Sequence, residues 1–487
     1  MDAVKFIIKA LVIIVGYLGI APTLGYLMVN RPWLRKFLLA FIAFMVVRPP
    51  GNFTLMLYSV DWYRGHTKGF EFNFLEIICI GFIIAGLLEK PRGFKLLTPG
   101  IIIYLGYCFA SLLSIVASYN GIFVLMGFFK FTKIAFIMVG VANAIRDEND
   151  LQWLLRGFAM ALFIQAVVCL KMRYIDGYYQ ISAWFEHQNP MAMWSYMVGL
   201  ILLAVALSKD IRGRDALIYF SAFAAAGICI VFSVSRASLA AFAAGTIALL
   251  SISLLRGVTP RRLAVLLTLT AGGSFVLLMA MDTLISRFDS AADNVPENDL
   301  RWILNQQARA MLNDSPVGIG WNNFGVANSR PVETKYSRML EQWNAKRGHT
   351  IVAEHYYANP LTESHYWLLL AETGYLSLIC FLLFALATLY WCLRGIWTYR
   401  RSFLGFLLLG IGMAFAITYL HSNLERVLTQ TKNLTTWMIL VGVIARIELW
   451  RRSGKITYQK GRGKKRISRK PMARSRPRKR FFAETIQ

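Results

Sequence analysis

Long apolar stretches alternate with short polar ones along almost the whole chain of 487 residues. A helix needs about 20 apolar residues to cross the roughly 30 Å of hydrocarbon in a bilayer, and by that measure the sequence predicts about thirteen spans, give or take about one. The predicted spans lie near residues 5–28, 36–48, 74–89, 99–118, 121–144, 152–170, 190–208, 215–233, 237–255, 263–284, 366–393, 402–421 and 435–450. The predicted fold class is therefore all-α, a polytopic integral membrane protein with about 12–13 transmembrane helices.

One polar stretch, residues 286–362, interrupts this pattern between two spans. It divides the chain into N-terminal transmembrane helices (1–285), a long external loop (286–362) and C-terminal transmembrane helices (363–450). The remaining residues, 451–487, are strongly basic and too poor in apolar side chains to bury a core. We therefore predict that they form a disordered cytoplasmic tail.

The positions of lysine and arginine predict the orientation of the spans, because cytoplasmic loops carry an excess of both. Short basic loops that fall on one side, together with the tail, contain residues 31–36, 90–95, 209–214, 256–262 and 394–401. We assign that side to the cytoplasm. The outer side then holds 286–362 and also 49–73, 171–189 and 422–434.

The net charge of +27 does not by itself indicate nucleic acid, because fifteen lysines and arginines lie between Arg451 and Arg480. A basic segment next to a membrane gains about 1 kcal/mol per basic residue from anionic lipid, so we expect lipid headgroups and not nucleic acid as its partner. All six cysteines lie in predicted spans, which argues against a disulfide framework or a cysteine-based metal site. No nucleotide-binding motif is present, and we expect no cofactor.

A histidine at the mouth of a membrane helix is the first candidate for chemistry. His365 begins the eleventh span, and Glu372 follows seven residues later, on the same face of a helix. Ionisable groups at membrane depth are costly and usually functional. We predict His365 as a catalytic base and Glu372 as the group that orients it. The alternative for Glu372 is helix packing or capping near Gly374.

Arginines on the outer side form the second group of candidates. Arg236 lies in the short turn between the eighth and ninth spans, and Arg301 and Arg309 lie on an amphipathic stretch, 300–312. The guanidinium fork matches phosphate oxygens bidentately, so this set predicts an anionic ligand such as a lipid-linked pyrophosphate. The alternative for Arg236 alone is a side chain that snorkels to the membrane surface.

Four further residues are secondary candidates. His187 and Asn189 open the seventh span, and Lys130 and Lys133 lie inside the fifth. Either lysine would suit a charged headgroup in a cavity. The alternative is a structural ion pair between Glu76 and Lys130.

The segment between the loop helix and the eleventh span is rich in turn residues. It reads Asp-Ser-Pro-Val-Gly-Ile-Gly-Trp-Asn-Asn-Phe-Gly from Asp314 to Gly325. Trp321 and Phe324 would either stack on a sugar or pack the loop.

Four motifs in this order resemble the O-antigen ligase and polymerase superfamily. They are Phe-Glu-His-Gln-Asn-Pro-Met-Ala at 185–192, Ser-Arg-Ala at 235–237, an amphipathic helix leading to Asp-Ser-Pro-x-Gly-x-Gly-Trp-x-x-Phe at 314–324, and Ser-His-Tyr-x-x-x-x-x-Glu-x-Gly at 364–374. The resemblance covers residues 180–450, and the first 150 residues match only as a set of spans.

The resemblance implies a metal-independent glycosyltransferase that takes a glycan from undecaprenyl pyrophosphate. The acceptor would be lipid A core, a protein or a growing polysaccharide outside the inner membrane. By motif, Arg236 and Arg301 would hold the pyrophosphate and His365 would act on the acceptor hydroxyl. A further loop histidine, His355, competes with His365 for that role.

A transporter or flippase of lipid-linked sugars is the alternative from another functional class. Such proteins are often built from internal repeats with broken helices at mid-membrane. The sequence shows neither a repeat nor paired glycine or proline breaks, and it has a loop that transport does not require.

Overall fold

The computed structural model describes residues 2–47, 54–63, 65–89, 93–273, 285, 295–329, 333–345 and 361–454. The predicted loop histidine His355 and the tail beyond residue 454 lie outside the described residues. The described chain is mostly helical, with one two-stranded sheet and nine helices apolar enough to span a membrane, which confirms an all-α, multi-pass membrane protein.

The first helices lead into a short hairpin. A continuous helix runs through α1 (Asp2–Ile14), a π turn (Val15–Ile20) and α2 (Ala21–Asn30). It is followed by α3 (Pro32–Met45) and by the two strands of the hairpin, β1 (Thr54–Ser59) and β2 (Gly69–Asn73). The helices after the hairpin are α4 (Phe74–Glu89), α5 (Ile101–Leu112), α6 (Gly121–Ala144), α7 (Glu148–Tyr174), α8 (Gln188–Ala206), α9 (Gly213–Ser233), α10 (Arg236–Leu255) and α11 (260–273).

The second part of the chain contains shorter helices before three long ones. These are α12 (Val295–Asp314), α13 (Phe324–Ala327), α14 (Lys335–Ala345), α15 (His365–Thr398), α16 (Phe403–His421) and α17 (Thr431–Arg452). A 3₁₀ turn, Val427–Thr429, precedes α17.

Nine helices of the described chain are long and apolar enough to cross a membrane, fewer than the twelve or thirteen that the sequence predicts. The predicted spans 36–48, 74–89 and 99–118 correspond to α3, α4 and α5. α3 and α4 have only 14 and 16 residues, and α5 has 12 before a five-residue 3₁₀ turn, Leu113–Ala117, that continues it. At 1.5 Å per residue each is shorter than the hydrocarbon core. The predicted span 263–284 lies partly outside the described residues.

The centre of the bundle is α8 together with α17. Of the most apolar stretch of α8, 94% is buried, against 11% in the N-terminal helix, which therefore lies at the outside of the bundle. α8 packs against α9 and α16, α17 packs against α6, and α15 lies between α5 and α16. Apolar side chains all round a helix suit this central position.

The hairpin carries a loop into the bundle. β1 pairs antiparallel with β2, with Thr54 opposite Asn73, and the register becomes irregular between Met56 and Ser59. The sequence pattern predicts only an outer loop at 49–73, whereas the observed loop 60–68 contacts α6 and the segment before α13.

α15 is broken at Gly374, whose φ of 72° and ψ of −171° are not helical. Residues 315–324, named here the inserted segment, dock against the break. Ile319 N–H donates to the carbonyl of Ala371 at 2.9 Å, and Gly320 N–H donates to that of Glu372 at 3.0 Å. The inserted segment thus satisfies carbonyls near the break that would otherwise lack partners at membrane depth.

Glycine is required on both sides of this contact. A Cβ on Gly374 would lie 2.2 Å from the carbonyl oxygen of Pro316, and one on Gly318 would lie 2.3 Å from the backbone of Glu372. Both residues also have positive φ, which side chains disfavour. The two glycines therefore permit backbone-to-backbone approach.

Candidate functional site

Glu372 lies just before the helix break and makes three hydrogen bonds. Oε1 accepts from the Phe324 backbone N–H at 2.9 Å, and Oε2 accepts from the Asn322 backbone N–H at 3.0 Å. Oε2 also lies 2.6 Å from Nε2 of His66. The carboxylate is 1% exposed, and two fixed N–H donors stabilise a buried negative charge.

Asn322 joins the hairpin loop to the inserted segment. Its φ of 61° is tolerated by asparagine better than by most residues. Its Oδ1 accepts from the His66 N–H at 2.7 Å and from the Tyr63 hydroxyl at 3.1 Å, while its Nδ2 donates to Thr67 O at 3.0 Å. The position of His66 is therefore set by residues about 250 positions away.

His66 is held by its side chain and by its backbone. The ring is 3% exposed, and Nε2 bonds to Glu372. Nδ1 is buried without a hydrogen-bond partner among the described residues. Lys130 Nζ donates to the carbonyl oxygens of His66 at 2.6 Å and Thr429 at 3.0 Å. Lys130 thus fixes the hairpin loop against the turn before α17.

A second group of charges adjoins the first. Arg301 forms ion pairs with Glu363 and, at 3.7 Å, with Glu425. Asn189 Nδ2 donates to Glu425 Oε1 at 2.6 Å. Burial, followed by the charge of Glu363, raises the pKa of Glu425 to about 7, although Arg301 and Arg426 act in the opposite direction.

Arg426 interacts electrostatically with both groups. It is partly buried, and burial lowers the pKa of its guanidinium while the carboxylates of Glu425, Glu363 and Glu372 counteract that effect. We name the combined set the junction site. It consists of His66, Lys130, Asn189, Arg301, Asn322, Glu363, Glu372, Glu425 and Arg426.

His365 lies beside the junction site but is not bonded to Glu372. Its backbone N–H donates to Ser422 O at 2.9 Å, and its ring packs edge-on against Phe381 with centroids 5.1 Å apart. The residue is 2% exposed, and neither ring nitrogen has a hydrogen-bond partner within the described chain. His66 is near enough to interact with it electrostatically. The carboxylate that the sequence pairs with His365 therefore meets His66 instead.

The other predicted arginines lie apart from these contacts. Arg309 stacks on Trp367, with the guanidinium carbon 4.8 Å from the ring centroid. Arg236 is exposed at the first residue of α10. The chain direction of α8, α9 and α10 puts this residue at the same end of the bundle as the start of α15.

The secondary candidates divide between the junction site and the scaffold. Asn189 bonds to Glu425, and His187 caps α8 by accepting the Asn189 N–H at 3.3 Å. Burial and then the charge of Arg426 lower the pKa of His187. Lys133 pairs with Glu76 at 2.8 Å. The predicted structural pair of Glu76 thus forms with Lys133, one helical turn beyond Lys130.

The aromatic residues of the inserted segment pack inside the protein. Trp321 is 1% exposed, with its ring 4.8 Å from that of Phe131, and Phe324 is fully buried. In this arrangement neither side chain offers a face to a sugar.

Sequence reasoning missed His66, Asn322, Glu425 and Arg426. His66 and Arg426 lie in loops that the sequence places on the same side as 286–362. The pattern therefore predicted the side of the bundle on which they lie, but it did not predict that they lie close together. No group of three or more potential metal-ligating side chains occurs in the part of the chain that the structure describes.

Cations beside a buried histidine–carboxylate pair can bind an anion, and the pair can accept a proton. The chain matches no protein-family model, and no curated protein is significantly similar to it.

Proposed function

We propose that the protein is a membrane glycosyltransferase of the O-antigen ligase or polymerase type. It moves a glycan from undecaprenyl pyrophosphate to a hydroxyl of lipid A core, a protein or a growing polysaccharide. In this proposal the junction site and residues 286–362 face the periplasm of a bacterium and the protein lies in the inner membrane. The observation that carries the proposal is the set of cations around a buried histidine–carboxylate pair. Lys130 bonds to the backbone of His66, Arg426 interacts electrostatically with Glu372, and Arg301 pairs with the neighbouring Glu363 and Glu425.

The arginines suit a pyrophosphate because carboxylates already balance their charges. Glu363 and Glu425 contact Arg301, and both act on Arg426. Phosphate oxygens would replace these carboxylates as partners. Since the pKa of Glu425 is about 7, its protonation near neutral pH would release the guanidinium groups at little cost.

Preorganised cations also stabilise charge that develops on a leaving group, often the largest contribution to catalysis. When the sugar–phosphate bond breaks, charge grows on the pyrophosphate oxygen. Arg301 and Arg426 would meet it, and Arg236, exposed at the same end of the bundle, would contact the lipid-linked phosphates outside the junction site.

The test uses the purified full chain in detergent with an undecaprenyl-pyrophosphate-linked oligosaccharide. Lipid A core, a peptide and a polysaccharide serve in turn as acceptor, and glycan transfer is followed by mass spectrometry. Loss of a charge-assisted hydrogen bond costs about 1.5–3 kcal/mol, or roughly 10- to 150-fold in kcat/KM for the donor. We expect that loss for Arg301→Ala and for Arg426→Ala, with partial recovery in the lysine variants.

Arg173→Ala is the matched control. Arg173 lies at the end of α7, at the same end of the bundle, and donates to the carbonyls of Tyr178 and Tyr179. It should leave donor kinetics unchanged. If the Arg301 and Arg426 variants behave like this control, the pyrophosphate site lies elsewhere.

A transporter of lipid-linked sugars is the second candidate, and the break of α15 at Gly374 favours it, since transporters often use interrupted helices. Product formed in detergent, where no sealed membrane exists, supports the transferase. Movement of labelled lipid across vesicles without any transfer supports the transporter.

A further inference from the structure

We infer that His66 accepts the proton of the acceptor hydroxyl, with Glu372 as the residue that positions it. This inference rests on the proposed function and deepens it, because the sequence motifs direct attention to His365. It is based on the different contacts that His66 and His365 make with their neighbours.

The contact with Glu372 fixes the tautomer of His66. An ionised carboxylate only accepts hydrogen bonds, so the Nε2 that lies 2.6 Å from Glu372 carries the hydrogen. In the neutral ring Nδ1 then has the lone pair. Glu372 itself cannot rotate freely, because the N–H groups of Asn322 and Phe324 hold both of its oxygens.

The backbone of His66 is fixed as well. Its N–H donates to Asn322 at 2.7 Å, and its carbonyl accepts from Lys130 at 2.6 Å. When the substrate moves, a base whose ring and main chain are both held keeps its position. A reacting group requires such a fixed position. Nδ1 is buried without a partner among the described residues, and a substrate hydroxyl would supply one.

His365 lacks these features in the described part of the chain. Neither of its nitrogens has a hydrogen-bond partner that would set its tautomer. Phe381 and Tyr366 pack edge-on to its ring, at centroid distances of 5.1 and 5.9 Å. Its backbone contact with Ser422 ties α15 to the end of α16. These contacts give His365 a structural role, next to His66 as the base.

In the proposed step, proton transfer to His66 accompanies transfer of the glycan. The hydroxyl proton of the acceptor passes to Nδ1 of His66 as its oxygen forms a bond to the anomeric carbon of the donor sugar. The bond from that carbon to the pyrophosphate oxygen breaks, and its electron pair leaves with the pyrophosphate. Arg301 and Arg426 face the negative charge that the pyrophosphate gains. The imidazolium of His66 is stabilised by the carboxylate of Glu372 until the proton is released to water.

The experiment compares His66→Gln and His365→Gln in the detergent assay with the full chain. General base catalysis is typically worth 10²–10⁴-fold. We expect His66→Gln to lower kcat by about that factor while KM for the donor changes less than about threefold. His365→Gln should lose less than about tenfold. Binding of undecaprenyl pyrophosphate to each variant shows that it is folded. The asparagine variant at the same position replaces any glutamine variant that fails this check.

Chemical rescue distinguishes a base from a structural residue. Added imidazole should restore part of the activity of His66→Ala and none of that of Glu372→Gln, because the latter retains its histidine but loses its orienting charge. His421→Gln is the control, since this buried histidine stacks on Tyr196, with centroids 5.8 Å apart.

The outcomes separate the two proposals. If wild-type protein transfers no glycan to any acceptor, the proposed function fails and this inference fails with it. If wild type transfers glycan and His66→Gln keeps its kcat while His365→Gln loses a hundredfold, only the inference is overturned and His365 is the base.

Discussion

The break in α15 gives the sharpest structural prediction, because it requires glycine, which has a hydrogen atom in place of a side chain, at position 374. Gly374 has positive φ with ψ near 180°, a region of backbone space essentially restricted to glycine that costs about 1–3 kcal/mol for other residues. A Cβ there would also lie 2.2 Å from Pro316 O and 2.6 Å from the Val317 carbonyl carbon. Overpacking of this kind typically costs about 1–3 kcal/mol.

Gly374→Ala should therefore destabilise the protein by about 2–6 kcal/mol. The atoms that must move belong to the backbone of the inserted segment, so no flexible side chain can absorb the overlap. Displacing that segment would also disturb the Asn322 and Phe324 N–H groups that hold Glu372. We expect transfer activity to fall together with stability.

The measurement is the apparent melting temperature of the purified protein in detergent. A fall of at least about 2 °C is expected, since the entropy of unfolding is about 2.1 cal/mol/K per residue. Gly106→Ala is the matched control. Gly106 lies within α5 with nothing within 4 Å of an added Cβ, so alanine should be neutral or should stabilise by up to about 1 kcal/mol. Equal melting temperatures for Gly374→Ala, Gly106→Ala and wild type would refute a break that requires glycine.

Two further predictions concern pH and metal. The pKa of Glu425 is about 7 when folded, against 4.5 ordinarily, so its stabilising contribution is complete below pH 4.5 and is lost as pH rises through 7. Glu425→Gln should therefore gain up to about 3 kcal/mol over wild type above pH 7. A difference in melting temperature that stays constant from pH 4.5 to about 7 would contradict the shift. Because arginines supply positive charge to the proposed leaving group, we expect transfer to survive EDTA. Loss on chelation and recovery with Mg²⁺ or Mn²⁺ would direct attention to Asp299 and Asp314 as ligands.

Apolar periodicity was enough to predict the fold class. Helices such as α6, α7 and α16 lie close to their predicted spans, because a lipid-facing or central helix must be apolar over its whole length. The helix α4 has the same bounds as its predicted apolar run, and α3 lies close to its own. Both runs are shorter than the about 20 residues that a span needs, so the apolar pattern located these helices but their length does not make them spans.

The candidate site could be found only in part from the sequence. Motifs on single helices drew attention to Asn189, Arg301 and Glu372, all of which belong to the junction site. Spacing along α15 paired Glu372 with His365, since residues seven apart share a helix face.

Tertiary structure chose a different partner for Glu372. The inserted segment enters the helix break, and the hairpin loop brings in His66 from 306 residues away in the chain. Helical periodicity describes neighbours on one helix, whereas this contact needs a backbone that leaves the helix and two glycines that admit another chain segment. The sequence alone therefore determined which residues are apolar, which side of the bundle the loops occupy and which residues bear charge. Only the packing of distant segments decided which charges meet.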